Sequence, residues 1–204
     1  KKFIILILFI IFNYKNVYAS YVVMNSDTNQ VIYSFNMNEK RLIASISKVM
    51  TAYVVINNVP LDKIIEVTDE KSLSHGSSIY LSLGEKLSVR DLLYGMMLRS
   101  GNDAATLLAN YTFDDYDRFI EEMNITAQKI GMKNTIFQNP TGLDDEGTQN
   151  YSTAYDMALI AKAAYDNQDY VKINENWYAV DVTWDDPIII GNGRVDNTIK
   201  YNNI

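Results

Sequence analysis

A serine and a lysine lie three residues apart in the segment Ala44-Ser45-Ile46-Ser47-Lys48-Val49-Met50-Thr51. The apolar residues that follow predict a helix that Ser45 opens and that runs through Ile56. Residues three apart in a helix share a face, so we expect the Ser45 hydroxyl beside the Lys48 amine. An amine in that position can accept the hydroxyl proton and activate the serine as a nucleophile. The pair therefore predicts an acylating serine enzyme.

A second candidate element, Ser100-Gly101-Asn102, follows further along the chain. A serine hydroxyl there could relay a proton, and an asparagine amide could bind a substrate amide. The triplet alone is a weak signal, because Ser34-Phe35-Asn36 has the same pattern inside a predicted strand. The longer segments around both elements are more specific.

Several of these segments occur in the order typical of the penicillin-binding-protein-type serine D-alanyl-D-alanine carboxypeptidases, which this chain resembles over about residues 21–165. They are Ala44 to Ala52, Gly76 to Glu85, Leu92 to Gly95, Ser100 to Ala105, Gly131 to Thr135, Asn139 to Asp145 and Ser152 to Ala158. The resemblance implies an α+β fold of the β-lactamase/transpeptidase type, in which an antiparallel sheet carries a helical subdomain.

The resemblance also implies the reaction and the partners. Ser45 would attack the carbonyl between the last two D-alanines of a peptidoglycan stem peptide, and β-lactams would acylate the same serine. Lys48 would act as the base, Ser100 would relay the proton to the leaving amine, and Asn102 would hold the substrate amide. The backbone N–H of Ser45 would supply one oxyanion donor. No cofactor is expected.

One element of the family pattern is missing, because no Lys-Thr-Gly tripeptide follows Tyr165. In the family that strand supplies a second oxyanion N–H and the cation that binds the substrate's terminal carboxylate. Loss of one oxyanion donor typically costs about 10² to 10³ in rate. We therefore expect impaired turnover. The alternative is a catalytically inactive exported protein that binds the cell wall or another partner.

Composition restricts the other possibilities. The net charge of −7 argues against nucleic acid binding, which needs clustered Lys and Arg. The sequence has no cysteine, which excludes disulfides and a cysteine nucleophile of its own. The single histidine, His75, is interpreted as an ordinary loop residue, and no metal site is expected.

The first 19 residues have the pattern of a signal peptide. Lys1 and Lys2 precede an apolar run from Phe3 to Phe12, and Val17-Tyr18-Ala19 supplies the small residues of a cleavage site. The apolar run is shorter than the ~20 residues that a spanning helix needs. We expect export to the outer face of a bacterial membrane or to the cell wall, with this segment as the sole membrane contact.

The remaining elements read as strands followed by helices. A hairpin is predicted from Tyr21 to Met24 and from Val31 to Phe35. The predicted helices after the Ser45 helix are listed by their limits: 92–98 behind a capping box at 88–91, 103–109, 119–130 ending at Gly131, and 153–164.

Residues 166–204 resemble the C-terminal end of transglutaminase-like cysteine enzymes, and we expect them to form a fragment separate from the 20–165 domain. In that comparison Asp181 matches the third member of a triad whose nucleophile and base are absent, so a solvated strand carboxylate is the better interpretation. The segment predicts a β-hairpin-like tail, with Val171 to Ile173 paired against Tyr178 to Trp184.

Overall fold

The computed structural model describes residues 19–69, 76–144 and 147–174. The predicted signal peptide up to residue 18, His75, and the tail from residue 175 onward, which includes Asp181, lie outside the described residues.

The N-terminal hairpin is confirmed. Strands β1 (Tyr21–Met24) and β2 (Val31–Phe35) pair antiparallel with Tyr21 opposite Phe35. The Asn25 side chain closes the turn by accepting the backbone N–H groups of Asp27 and Thr28. This is the usual way in which an asparagine stabilises a turn.

Two further ladders join segments that are distant in the sequence. Strand β3 (Arg41–Leu42) pairs antiparallel with β6 (Tyr151–Ser152), and β4 (Ile64–Glu66) pairs antiparallel with β5 (Lys86–Ser88). None of the four was predicted, because two or three residues are too few to show a periodic pattern. The β3–β6 ladder brings the segment after residue 136 next to the segment before Ser45.

The first five helices follow the predicted order, and a sixth was not predicted. They are α1 (Lys48–Asn58), α2 (Val89–Arg99), α3 (Asn102–Phe113), α4 (Tyr116–Ile130), α5 (Ala154–Tyr165) and α6 (Gln168–Asn174). The capping box is confirmed, since the Ser88 hydroxyl accepts the Asp91 N–H. Gly131 ends α4 in a left-handed conformation, as the sequence indicates.

Helix α1 lies at the centre of the described core and packs against each of the other five helices. Met50, Ala52 and Val55 on this helix are fully buried. The helix therefore holds its first residue, Lys48, in a fixed position relative to the rest of the core.

The predicted tail hairpin is wrong in its first strand. Residues 171–173 belong to α6, and the Asn167 side chain accepts the backbone N–H groups of Asp169 and Tyr170 at its start. Ile173 is fully buried in the same core as α1. An asparagine cap and burial one turn after Tyr170 favour a helix over a strand here.

Within the described residues, no helix is both long and apolar enough to cross a bilayer.

Substitution of two leucines tests the packing of this core. Leu108 on α3 is fully buried, whereas Leu83 is half exposed in a turn. We expect Leu108→Ala to lower the free energy of unfolding by about 2–5 kcal/mol, because it removes buried methyl groups and leaves a cavity. Leu83→Ala is the matched control and should change it by about 0.5 kcal/mol or less. Equal losses in urea denaturation would contradict the described packing.

Candidate active site

The amine of Lys48 is a buried charged group at the centre of the site. Its residue is only 2% exposed. The Nζ atom donates to the Thr141 carbonyl oxygen at 2.6 Å and to Asn102 Oδ1 at 2.8 Å, and it lies 3.3 Å from Ser45 Oγ. The structure thus brings Ser45, Lys48 and Asn102 together, and it adds a backbone carbonyl that the sequence did not indicate.

The three oxygens around Nζ differ in what they can do. The Thr141 carbonyl and Asn102 Oδ1 only accept hydrogen bonds, whereas the Ser45 hydroxyl can also donate. A neutral amine has two hydrogens and one lone pair. When both hydrogens go to the acceptors, the lone pair is left for the Ser45 hydroxyl. The geometry therefore suits Lys48 to take a proton from Ser45.

Burial also favours the neutral form of the Lys48 amine. Loss of contact with water lowers the pKa of Lys48 to about 8, because an ammonium ion is poorly solvated in the protein interior. A free lysine with its ordinary pKa near 10.4 would be almost fully protonated at neutral pH. With a pKa of about 8, the neutral amine makes up about a tenth of the population at pH 7.

Ser45 itself is exposed, so a substrate could reach its hydroxyl from solvent. It lies in a 3₁₀ turn, Ala44–Ser47, and the regular α-helix begins only at Lys48, three residues later than predicted. Ala44 has a positive φ of 44°, a conformation that costs a non-glycine residue energy. The chain thus enters the turn sharply and presents Ser45 at the surface above the buried Lys48.

Gly142 is packed directly against this turn. A Cβ atom at Gly142 would lie 1.8 Å from the Ala44 carbonyl oxygen, and the residue has a φ of 77°. Only glycine allows both the backbone conformation and this close approach. The loop 139–143 therefore fits against Ala44, the residue that precedes Ser45.

The loop is held in shape by one buried side chain. Asn139 Oδ1 accepts the backbone N–H groups of Thr141 and Gly142 and the Thr141 hydroxyl. Thr51, one turn after Lys48 on α1, donates its hydroxyl to the Pro140 carbonyl at 2.7 Å. Lys48 and Thr51 therefore bind consecutive carbonyls of the loop.

Asn102 begins α3 and is almost fully buried. Its backbone N–H donates to the Ser77 carbonyl at 2.7 Å, which joins it to the loop 76–81. The neighbouring Asp103 carboxylate fixes the same loop by accepting from the Ser78 hydroxyl and from the backbone N–H groups of Ile79 and Leu81. The substrate-binding role expected for Asn102 stays a prediction, and the structure shows its side-chain oxygen on Lys48.

Ser100 ends α2 in a left-handed conformation, with a φ of 56°. It is partly exposed, two residues before Asn102. Within the described residues, no hydrogen bond joins its hydroxyl to Lys48 or Ser45. Its proposed proton relay stays a prediction.

Sequence reasoning missed the residues that hold this arrangement: Ser47, Thr51, Asn139, Thr141 and Asn150. Asn139 to Leu143 reads as a turn from its composition, but nothing local indicates that its carbonyls face a lysine. The signal that the sequence offered was the density of Asn, Ser and Thr in segments with no other apparent role.

No group of three or more His, Asp or Glu side chains that could bind a metal ion occurs in the described part of the chain.

Comparison with known proteins identifies the family of this chain. A family profile described as D-alanyl-D-alanine carboxypeptidase matches residues 15–189. This chain belongs to that family. The matched segment continues beyond residue 165, where the sequence predicted the end of the domain.

Individual relatives give the same result for sequence and for fold. The D-alanyl-D-alanine carboxypeptidase DacF of Bacillus subtilis (strain 168) is 38% identical over 148 residues, which cover 70% of this chain and 38% of that protein. The crystal structure of DacD from Francisella tularensis superposes with a TM-score of 0.70 at 38% identity, over 76% of this chain and 38% of that one. The carboxypeptidase from Mycobacterium tuberculosis H37Rv gives a TM-score of 0.72 at 30% identity, over 76% and 58%.

The chain therefore spans well under two thirds of the length of these carboxypeptidases. The α+β fold of the penicillin-binding type is shown for the part that matches.

Gly142 offers a direct test of the contact between the loop and the turn. Gly142→Ala should abolish this contact, because the added methyl group would overlap the Ala44 carbonyl. We expect the free energy of unfolding to fall by more than the ~1–2 kcal/mol that a left-handed alanine costs. Gly147→Ala is the control, since Gly147 has a similar φ of 85° and no atom within 4 Å of the added group. Equal losses in the two variants would show that Gly142 is not packed against Ala44.

Proposed function

We propose that this chain is a serine-type D-alanyl-D-alanine carboxypeptidase that forms an acyl-enzyme on Ser45. Its substrates would be peptidoglycan stem peptides that end in D-Ala-D-Ala, and β-lactams would be covalent ligands. The observation that supports this most is the buried Lys48 amine, whose two acceptors leave its lone pair for the exposed Ser45 hydroxyl.

The acylation step follows from this geometry. Lys48 Nζ removes the Ser45 hydroxyl proton as Oγ bonds to the carbonyl carbon of the penultimate D-alanine. The peptide bond then breaks, and the proton passes to the amine of the leaving D-alanine, with Ser100 as the proposed relay. Water hydrolyses the ester, and Lys48 activates that water in the same way.

Two further groups would bind the reacting peptide. The backbone N–H of Ser45 would stabilise the tetrahedral oxyanion, because a donor placed where charge develops lowers the barrier. Asn102 would bind the substrate amide while its oxygen holds Lys48.

These 204 residues contain no Lys-Thr-Gly tripeptide, so they supply neither that motif's oxyanion donor nor its cation. A missing donor of this kind typically slows the reaction by about 10² to 10³, or ~3–4 kcal/mol. We propose that acylation by this chain is correspondingly slow. We also propose that the protein acts after export, at the outer face of the cytoplasmic membrane or in the cell wall.

Labelling with a fluorescent penicillin tests the nucleophile. We expect slow covalent labelling of the wild-type chain, with mass spectrometry placing the adduct on Ser45. Ser45→Ala should abolish labelling, since it removes the attacking oxygen. Ser34→Ala, in the other Ser-x-Asn triplet, is the control and should keep the wild-type rate.

Labelling that persists in Ser45→Ala would refute the assignment. A wild-type chain that is never labelled but is retained on isolated peptidoglycan would instead favour the non-catalytic wall-binding alternative.

The pH dependence of acylation tests the base. Only the neutral amine can accept a proton, and burial lowers the pKa of Lys48 to about 8. The initial rate of acylation should therefore rise with pH and level off above a midpoint near 8, changing about tenfold per unit well below it. Lys48→Arg should be inactive throughout, because arginine stays protonated. A flat profile from pH 6 to 9 would contradict the role of Lys48.

A further inference from the structure

Asn150 connects the nucleophile turn to the loop that contacts Lys48. It precedes strand β6 and is only 1% exposed. Its Nδ2 donates to Ser47 Oγ at 2.8 Å and to the Asn139 carbonyl at 2.8 Å. Its backbone carbonyl accepts the Ile43 N–H at 3.2 Å. One residue thus bonds to both sides of the contact between Lys48 and Thr141.

The side chain of Asn150 has no bonding capacity left over. Its Oδ1 accepts the N–H groups of Gln138 and Asn139, at 2.7 and 3.2 Å. Both hydrogens of its amide are used on Ser47 and Asn139. An asparagine offers two donors and two acceptor sites, and here all four are occupied. Any replacement leaves buried partners unpaired.

The partners of Asn150 lead on to the reacting groups. Asn139 orients Thr141, whose carbonyl accepts from Lys48. Ser47 directly precedes Lys48, and its hydroxyl donates to the Ala44 carbonyl at 2.8 Å, which fixes the turn that carries Ser45. The distance between the loop and the turn therefore depends on the Asn150 amide.

We infer that Asn150 is a positioning residue for the reaction, and that it acts by holding the Thr141 carbonyl over the Lys48 amine. That this positioning serves catalysis rests on the proposed function. Without the Asn150 amide, the loop 139–143 moves away from α1, water reaches Lys48, and the amine spends more time protonated. Asn150 does not contact the reacting atoms itself.

The groups that face Lys48 do not titrate themselves, so they would not change the protonated fraction of Lys48 in this way. Among the described residues, the hydrogen-bond partners of Nζ are an alcohol, an amide and a backbone carbonyl. The carboxylate of Asp103, next to Asn102, is directed to the loop 78–81, where it binds Ser78, Ile79 and Leu81. Water access to Lys48 is therefore the variable that Asn150 controls.

Asn124 provides a matched control. Its side chain also binds both backbone groups of a loop residue, donating to the Phe137 carbonyl at 2.8 Å and accepting the Phe137 N–H at 2.9 Å. It comes from α4, and none of its partners contacts Lys48 or Ser45. The two asparagines thus anchor the same stretch of chain, but only one is bonded to the site.

The experiment replaces each asparagine with leucine, which is of similar size and carries no charge. The pKa of Lys48 is read directly by NMR titration of the lysine side-chain signals, assigned by comparison with Lys48→Arg. Acylation by a fluorescent penicillin is followed over the same pH range. The NMR titration does not require that the chain be an active enzyme.

We expect Asn150→Leu to raise the pKa of Lys48 by about one unit or more toward its ordinary value, which lowers the neutral fraction at pH 7 about tenfold. The midpoint of the pH dependence of the acylation rate should rise by the same amount. Asn124→Leu should leave both midpoints at the wild-type value, whatever its effect on stability.

An unchanged pKa of Lys48 in folded Asn150→Leu, or an equal rise in Asn124→Leu, would overturn the inference. If Asn150→Leu does not fold, Ser47→Ala removes the bonds of the Ser47 hydroxyl to Asn150 and to the Ala44 carbonyl, leaves the other Asn150 bonds in place, and should raise the same pKa by a smaller amount. No rise in Ser47→Ala would then overturn it. Absence of acylation in the wild-type chain would refute the proposed function alone, because the NMR titration still decides the role of Asn150.

Discussion

The site depends on one constraint: the Lys48 amine is buried, and a buried amine needs an oxygen acceptor for each hydrogen it carries. The structure meets this need with the Thr141 carbonyl and Asn102 Oδ1, and it leaves Ser45 Oγ for the lone pair. Burial lowers the pKa of Lys48 and the acceptors orient it. The same contacts therefore satisfy the hydrogen bonds of the buried amine and suit it to the role of base that is proposed for it.

The oxygens come from three segments that are far apart in the chain, and a residue with positive φ lies in each of these segments. Ala44 and Gly142 directly flank Ser45 and Thr141, and Ser100 lies two residues before Asn102. Such conformations cost a non-glycine residue about 1–2 kcal/mol and persist where surrounding bonds enforce them. Here the enforcing bonds are those of the loop 139–143 and of the start of α3.

The described part of the fold carries one portion of the site that the family resemblance implies. Helix α1, helix α3 and the loop 139–143 together place the Ser45 hydroxyl and its acceptor neighbours around the Lys48 amine. Binding of a substrate carboxylate, for which the family resemblance implies a Lys-Thr-Gly strand, draws on residues that do not occur in this sequence. Ser45 and Lys48 lie within residues 15–189, the segment that matches the family.

The sequence by itself determined the local features: the β1–β2 hairpin, the caps at Ser88 and Gly131, and the proximity of Ser45 to Lys48, since each depends on residues a few positions apart. It gave a wrong strand at Val171 to Ile173, where burial of Ile173 against α1 outweighed the alternating pattern. Only the tertiary structure decided that Thr141 faces Lys48 and that Asn150 bonds to Ser47, 103 residues away. Such contacts have no local pattern, because a hydrogen bond depends on where the folded chain places two groups and not on their separation along it.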